Sequence, residues 1–268
     1  MGKFNLSKVD PSYIGNFKSR SDAEQATEDL KKVMYDLLYL MFAHDKHSLL
    51  IILHGIDTSG KDGAVRHIFS SANPQGMRVY SFKQPTPEEL RHDFIWRCHM
   101  NTPACGLAAI FNRSYYEEVT TVKVHPEYLK AQRMPDRILN HKDFFERRYD
   151  RINDFEKLLT ERGTVVLKLF LHISKDEQKR RLKDRLQDNK KNWKFSEADI
   201  VERKFWNKYM KAYEKMLQKT DSDHAAWHVI PSNNKWYRNY LISKLTVDAL
   251  SRLDMSFPKN KRKVSSIR

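Results

Sequence analysis

The densest chemistry in the chain lies in Gly55-Ile56-Asp57-Thr58-Ser59-Gly60-Lys61-Asp62-Gly63. Its spacing fits G-x-x-x-x-G-K and then places Asp where Ser or Thr is expected. Gly55, Gly60 and Gly63, with Thr58 and Ser59 between them, let backbone N–H groups turn inward on a phosphate. Lys61 adds a positive charge, and a helix expected over Asp62 to Phe69 adds the positive end of its dipole. The segment is therefore read as an anion cradle. Asp57 and Asp62 oppose that reading, because like charges at about 4 Å repel by roughly 1 kcal/mol in water and about 4 at an effective dielectric of 20. A hard cation reverses the sign. Mg²⁺ prefers carboxylates, water and phosphate oxygens, so the two acids are read as metal-holding and as orienting or general-base groups. In the competing reading one or both acids cap the following helix.

A second apolar run, Leu107 to Phe111, leads into Asn112-Arg113-Ser114. Asn112 offers a carbonyl oxygen to a metal, directly or through water, and Arg113 presents a charged fork suited to phosphate. The bland role for Arg113 is an ion pair with Glu117 or Glu118. Arg181 and Arg185, four residues apart, share a helical face, and Lys191, Trp193 and Lys194 follow in a polar segment before a helix that begins near Ser196. A hinged basic lid would bring charge onto a transferring phosphoryl group and expel water. Without the loop, a solvated helix face would be the simpler account. Tyr115, Tyr116, Glu117 and the 144–149 region are candidates for nucleotide contact, with core packing as the competing role of their aromatics.

These groups need a scaffold. Leu49 to Leu53, ending in His54-Gly55, is a short continuous apolar run of the kind buried on both faces of a sheet. Val79 to Phe82, Leu107 to Phe111, Thr164 to Leu171 and Trp227 to Ile230 have the same character. Helical patterns alternate with them. A first helix opens at Ser21 with Glu24 as its capping box and carries Ala26, Leu30, Val33, Leu37 and Met41 as its apolar stripe. Others run from Pro87 to Cys98 behind Thr86 and Glu89, from Asp143 to Leu159, and from Lys175 to Leu186. Trp206, Tyr209, Tyr213 and Leu217 are spaced for core packing. Alternation of this kind predicts an α/β fold with a parallel sheet covered by helices on both faces. No internal repeat is present.

Composition sets the remaining bounds. Forty-nine Lys and Arg against 34 Asp and Glu leave +15, which points to a polyanionic partner. Two cysteines, Cys98 and Cys105, suit neither a disulfide framework nor a zinc site, and no apolar run approaches a membrane span. A soluble protein of the reducing cytoplasm, with no membrane partner, is expected. The basic tail, about 258–268, is read as a solvated end in preference to a binding arm.

The blocks G-I-D-T-S-G-K-D-G, F-K-Q-P-T-P-E-E-L, F-N-R-S-Y-Y-E-E-V and N-W-K-F-S, in this order over nearly the whole chain, resemble the family-2 polyphosphate kinases. The resemblance implies a P-loop kinase fold with a five-stranded parallel core and a helical lid, over one domain, 1–268. That domain would have a helical extension at about 1–46 and a lid at about 179–205. It implies phosphoryl transfer between inorganic polyphosphate and a nucleotide, Mg²⁺, and a homo-oligomer, dimer or tetramer. Asp57, Lys61 and Asp62 match the family's Walker A residues, Arg113 its Walker B arginine, and Arg181 and Arg185 its lid arginines. Asn112 departs from the Asp of many members, and F-N-R-S resembles the class III branch, which phosphorylates nucleoside mono- and diphosphates such as AMP, ADP, GMP and GDP.

Charge and resemblance converge on a channel for a phosphate chain, lined by Lys83, Arg113, Lys123, Arg133 and the lid, with affinity that falls as salt rises. Lys83, Asn112, Glu117 and Lys194 join the loop as expected ligand-binding residues. Two other functions compete: an ATP-dependent nucleoside monophosphate kinase, and a basic nucleic-acid-binding protein whose loop holds only a structural anion. On the favoured reading nucleic acid is not a partner.

Overall fold

The computed structural model describes residues 4–70, 72–190, 192–194 and 196–259; the side chains of Lys194, Glu197 and Ala198 lie outside that description, as do Lys191 and most of the basic tail. Five strands, β1 (Ser48–His54), β2 (Met77–Ser81), β3 (Ala108–Asn112), β4 (Thr164–His172) and β5 (Trp227–Pro231), form one sheet in the order β2-β3-β1-β4-β5. Every pairing is parallel. The main helices are α1 (Arg20–His44), α2 (Lys61–Ile68), α3 (Phe144–Glu161), α4 (Lys175–Gln187), α5 (Glu197–Lys204), α6 (Trp206–Thr220) and α7 (Lys235–Ser251).

Alternating residues of β1 feed two cores, as the pleat requires. Leu50 and Ile52 pack with α3 and α6 through Ile152, Phe155, Tyr213 and Met216. Leu49, Ile51 and Leu53 pack with α1, α2 and α7 through Met41, Ile68 and Ile242. Helices therefore cover both faces, as expected, and β1 is buried along its whole length. Trp206, Tyr209, Tyr213 and Leu217 lie in the core, as their spacing predicts.

Three local expectations are corrected. The α1 cap is Ser19, whose side chain accepts from the Asp22 N–H, so the helix starts just before the Ser21 box and its buried residues are Ala23, Thr27, Met34, Leu38 and Met41. Leu30 and Leu37 lie on the flank of that stripe, and Val33 is exposed. The Thr86–Glu89 capping box forms in both directions, yet only a 3-10 turn follows it. Asp93 then accepts from the Ile95 and Trp96 N–H groups and restarts the chain as the single-turn helix Trp96–His99, so a continuous helix over 87–98 does not form. Finally, β2 is an edge strand that buries none of its residues, with Val79 exposed, and the β2 run is therefore not the buried strand its composition suggests.

Candidate active site

The loop 55–63 leaves the buried end of β1 and turns directly into α2. Two glycines are needed for it. Gly55 has φ +137°, and a Cβ there would stand 2.6 Å from the Leu171 carbonyl oxygen; Gly60 has φ +103° and is the N-cap of α2. As a glycine it offers no side chain to cap the helix, and Asp62 follows in the first turn of α2. The first N–H groups of α2 remain directed at whatever the loop cradles.

Lys61 is buried, and its ammonium donates to the carbonyls of Gly55 (2.6 Å) and Ile56 (3.2 Å). Burial, and then Arg113, hold it down to about 8, against the opposing pull of Asp57. Four buried polar atoms lack a hydrogen-bond partner on or beside the loop: Thr58 Oγ1, Ser59 Oγ, His54 Nδ1 and Gln178 Oε1. Such groups are costly to leave unmatched, and their concentration here is what a ligand-binding loop requires.

Arg113, at the end of β3, is ion-paired with Asp57 across the loop and with Glu117 at 3.3 Å. The ion pair with Glu117 that the sequence left open is thus present, while Glu118 pairs with Arg148 at 2.8 Å. Glu117 keeps the guanidinium charged well above its ordinary range, although burial opposes this and Asp57 assists. Burial alone would raise Glu117, but Arg113 and His54 bring it down to about 2. His54 lies 3.8 Å from Glu117 and is pushed by burial down to about 4.

Asn112 donates its amide N–H to Asp62 at 2.7 Å. This fixes the orientation of the Asp62 carboxylate. Asp57 accepts from Arg113 and Asp62 from Asn112, and both carry carboxylate oxygens, the donor type that Mg²⁺ prefers. Among the described residues no cluster of three or more His, Cys, Asp or Glu forms a cage that would bind a metal by itself.

The two arginines expected to belong to a lid diverge. Arg181 is buried on α4 and faces the loop from behind, donating to the carbonyls of Thr58 (2.9 Å), Ser59 (2.9 Å), Asn233 (3.1 Å) and Ser232, and to Glu177 (2.6 Å). Arg185 pairs with Asp199 of α5 at 2.9 Å. Burial and the nearby Asp57 raise the Asp199 carboxyl. Asp57, Arg113, Asp199 and Glu202 line a narrow cleft over the loop. Arg113 also lines a second cavity of about 480 Å³, with Phe82, Lys83, Leu90, Gln132 and Tyr128 among its walls.

Of the four expected channel cations, Lys83 and Arg113 line a cavity. Lys123 instead lies over the rings of Phe145 and Tyr149, and Arg133 is exposed on a left-handed turn. Lys194 falls outside the described side chains. Tyr115 and Tyr116 are buried, both donating to Glu156, which is core packing as anticipated. Sequence reasoning missed Gln178, which donates to the Asp57 carbonyl at 3.3 Å, and Arg238, buried against Gly60; nothing in the local pattern marks either.

A family model described as polyphosphate kinase 2 matches residues 18–258. An ADP-polyphosphate phosphotransferase of Rhodopseudomonas palustris is 41% identical over 94% of this chain and 86% of its own. An AMP/ADP-polyphosphate phosphotransferase of Meiothermus ruber is 40% identical over 96% of this chain and 92% of its own. Among solved structures, polyphosphate kinase 2 from Arthrobacter aurescens superposes with a TM-score of 0.90 at 39% identity, covering 97% of this chain and 90% of that one.

Proposed function

This chain belongs to the polyphosphate kinase 2 family, and we propose that it carries the terminal phosphoryl group of inorganic polyphosphate to a nucleoside mono- or diphosphate, and back, at the loop after β1. The observation that carries the reading is the position of Arg113, which lines both the cleft over the phosphate loop and the 480 Å³ cavity beside it. A phosphoryl group passing between a donor on the loop and a nucleotide in the cavity would cross beside that guanidinium. The acceptor names of the relatives, ADP in one and AMP/ADP in the other, support both classes of acceptor.

The loop amides of Thr58 to Gly63, the hydroxyls of Thr58 and Ser59, and Lys61 bind the donor phosphates. Phosphoryl transfer passes through a loose transition state, so positioning and fixed positive charge do most of the catalysis. Arg113, steadied by Glu117, stabilises the group in flight, and Arg185 joins it by exchanging Asp199 for phosphate oxygens. The acceptor is itself a phosphate, whose oxygen is already ionised at neutral pH. No proton need be removed from it, so Asp57 and Asp62 act as orienting and metal-holding groups, with Asn112 aligning Asp62. Bound Mg²⁺ would neutralise charge on the phosphoryl oxygens. Phe82, Leu90 and Tyr128 give the cavity apolar walls for a base, and Lys83 sits with them for a phosphate. A homo-oligomer in a reducing cytoplasm belongs to the same proposal; the free thiols of Cys98 and Cys105 support that compartment.

The test is incubation of the purified protein with Mg²⁺, polyphosphate and AMP or ADP, with ATP omitted. Formation of ADP or ATP with shortening of polyphosphate is expected. Product only when ATP is the donor would instead identify a nucleoside monophosphate kinase, and salt-dependent nucleic-acid binding without turnover would identify a basic binding protein.

A further inference from the structure

Arg238, on the first turn of α7, is only 3% exposed. Its Nε and Nη2 both donate to a single acceptor, the side-chain oxygen of the adjacent Asn239, at 3.1 and 2.7 Å. Among the described residues no carboxylate pairs with it. Its charged neighbour is another cation, Arg181, and burial together with Arg181 presses its charged form down to about 9. A guanidinium taken out of water without a counter-ion costs several kcal/mol, which a fold does not accumulate by accident.

The location supplies the missing partner. A Cβ built on Gly60 would fall 2.0 Å from Arg238 Nη1 and 3.4 Å from Arg181 Nη1, and one on Gly63 would fall 3.7 Å from Arg238 Nη2. Both guanidinium groups thus abut the phosphate loop from behind, where α2 begins and its own dipole is already positive. They differ in one respect. Arg181 is satisfied by four carbonyls and Glu177, whereas Arg238 is balanced by no anion of the chain described here. Three positive features meet behind a loop whose open side offers N–H groups and Lys61.

We infer that Arg238 is a positioning residue for the phosphate donor, a buried charge that acts through the loop at Gly60 and is balanced when an oligophosphate occupies the front of the loop. This rests on polyphosphate being the donor. It assigns to α7, far from the sequence motifs, a share in donor affinity, and it leaves the nucleotide cavity untouched, since Arg238 does not line it.

The experiment uses the full chain with Arg238→Met, Arg238→Gln and Arg238→Lys. Removing an unbalanced buried charge does not weaken a fold, so the two neutral variants are expected to melt at or above the wild-type temperature. The KM for polyphosphate should rise about tenfold or more, with the KM for ADP within about twofold. The thermal stabilisation that tripolyphosphate gives the wild type, measured without nucleotide, should shrink by the same order. Arg238→Lys should recover much of the donor affinity. A clear fall in melting temperature of both neutral variants would overturn the inference, because the guanidinium would then be a structural brace. An unchanged KM for polyphosphate, or an equal rise in both KM values, would overturn it too. Failure of wild-type protein to use polyphosphate at all would instead overturn the proposed function, so the two failures are separable.

Discussion

Behind the phosphate loop, Arg181 gives every direction of its guanidinium to the chain itself, joining the loop carbonyls of residues 58 and 59 to the β5–α7 turn at 232 and 233. In front, Arg113 is held by the carboxylates Asp57 and Glu117 and borders two cavities. Both are arginines at strand or helix positions that sequence motifs mark alike. What separates them is the acceptor: neutral buried carbonyls cannot be replaced by a substrate, whereas a half-exposed carboxylate can yield its place to a phosphate oxygen. Arg181 is therefore bound into the scaffold of the loop, whereas Arg113 holds partners that a phosphate can displace.

The comparison can be broken from either side. Arg181→Ala should have the largest effect, a loss of about 3–5 kcal/mol in stability as buried carbonyls and Glu177 lose their partner, read as a fall in denaturant midpoint; Arg181→Lys should rescue little, because one ammonium cannot span the fork. Lys61→Ala should do the opposite, lowering kcat by about 10²–10³-fold with a much smaller fall in midpoint, since relief of a desolvated charge offsets the two carbonyls left without a partner. A stability loss in Lys61→Ala with near-normal turnover would merge the two sides.

The pH dependence sharpens the front. His54 titrates near 6.5 when unfolded and near 4 when folded, so over that window the unfolded chain binds a proton the folded chain refuses and stability falls as pH drops. Across the full window the loss is about 3 kcal/mol. Glu117, held near 2, contributes stability that is complete above 4.5 and is lost as pH falls further toward 2. His54→Gln should flatten the decline between pH 6.5 and 4 and leave the lower step; unchanged slopes would place acid sensitivity elsewhere. The smallest effect belongs to Arg180→Ala, whose exposed pairs with Glu177 and Asp184 should be worth less than about 1 kcal/mol.

The strands β1, β3 and β4 were legible because fully buried parallel strands leave continuous apolar runs. The exposed edge β2 and the stretch after Thr86 misled, the first because an apolar run does not say which strand is central, the second because the Asp93 side chain captured N–H groups that a helix would have used. The front of the site was legible too: Asp57, Lys61, Asp62, Asn112 and Arg113 lie within two short blocks at strand ends. The back was not. Arg181 shares a helical face with Arg185 in the sequence, but its carbonyl partners lie 51 to 123 residues away, and Arg238 meets Gly60 only through the tertiary fold.

The most direct measurement is amide hydrogen exchange on the wild-type protein with Mg²⁺ and polyphosphate, without nucleotide, beside Lys61→Ala under the same conditions. Slowed exchange in peptides covering 57–63 and the first turn of α2, weakened in Lys61→Ala, is the expected result. Protection confined to other basic surfaces, with these amides unaffected, would contradict the account.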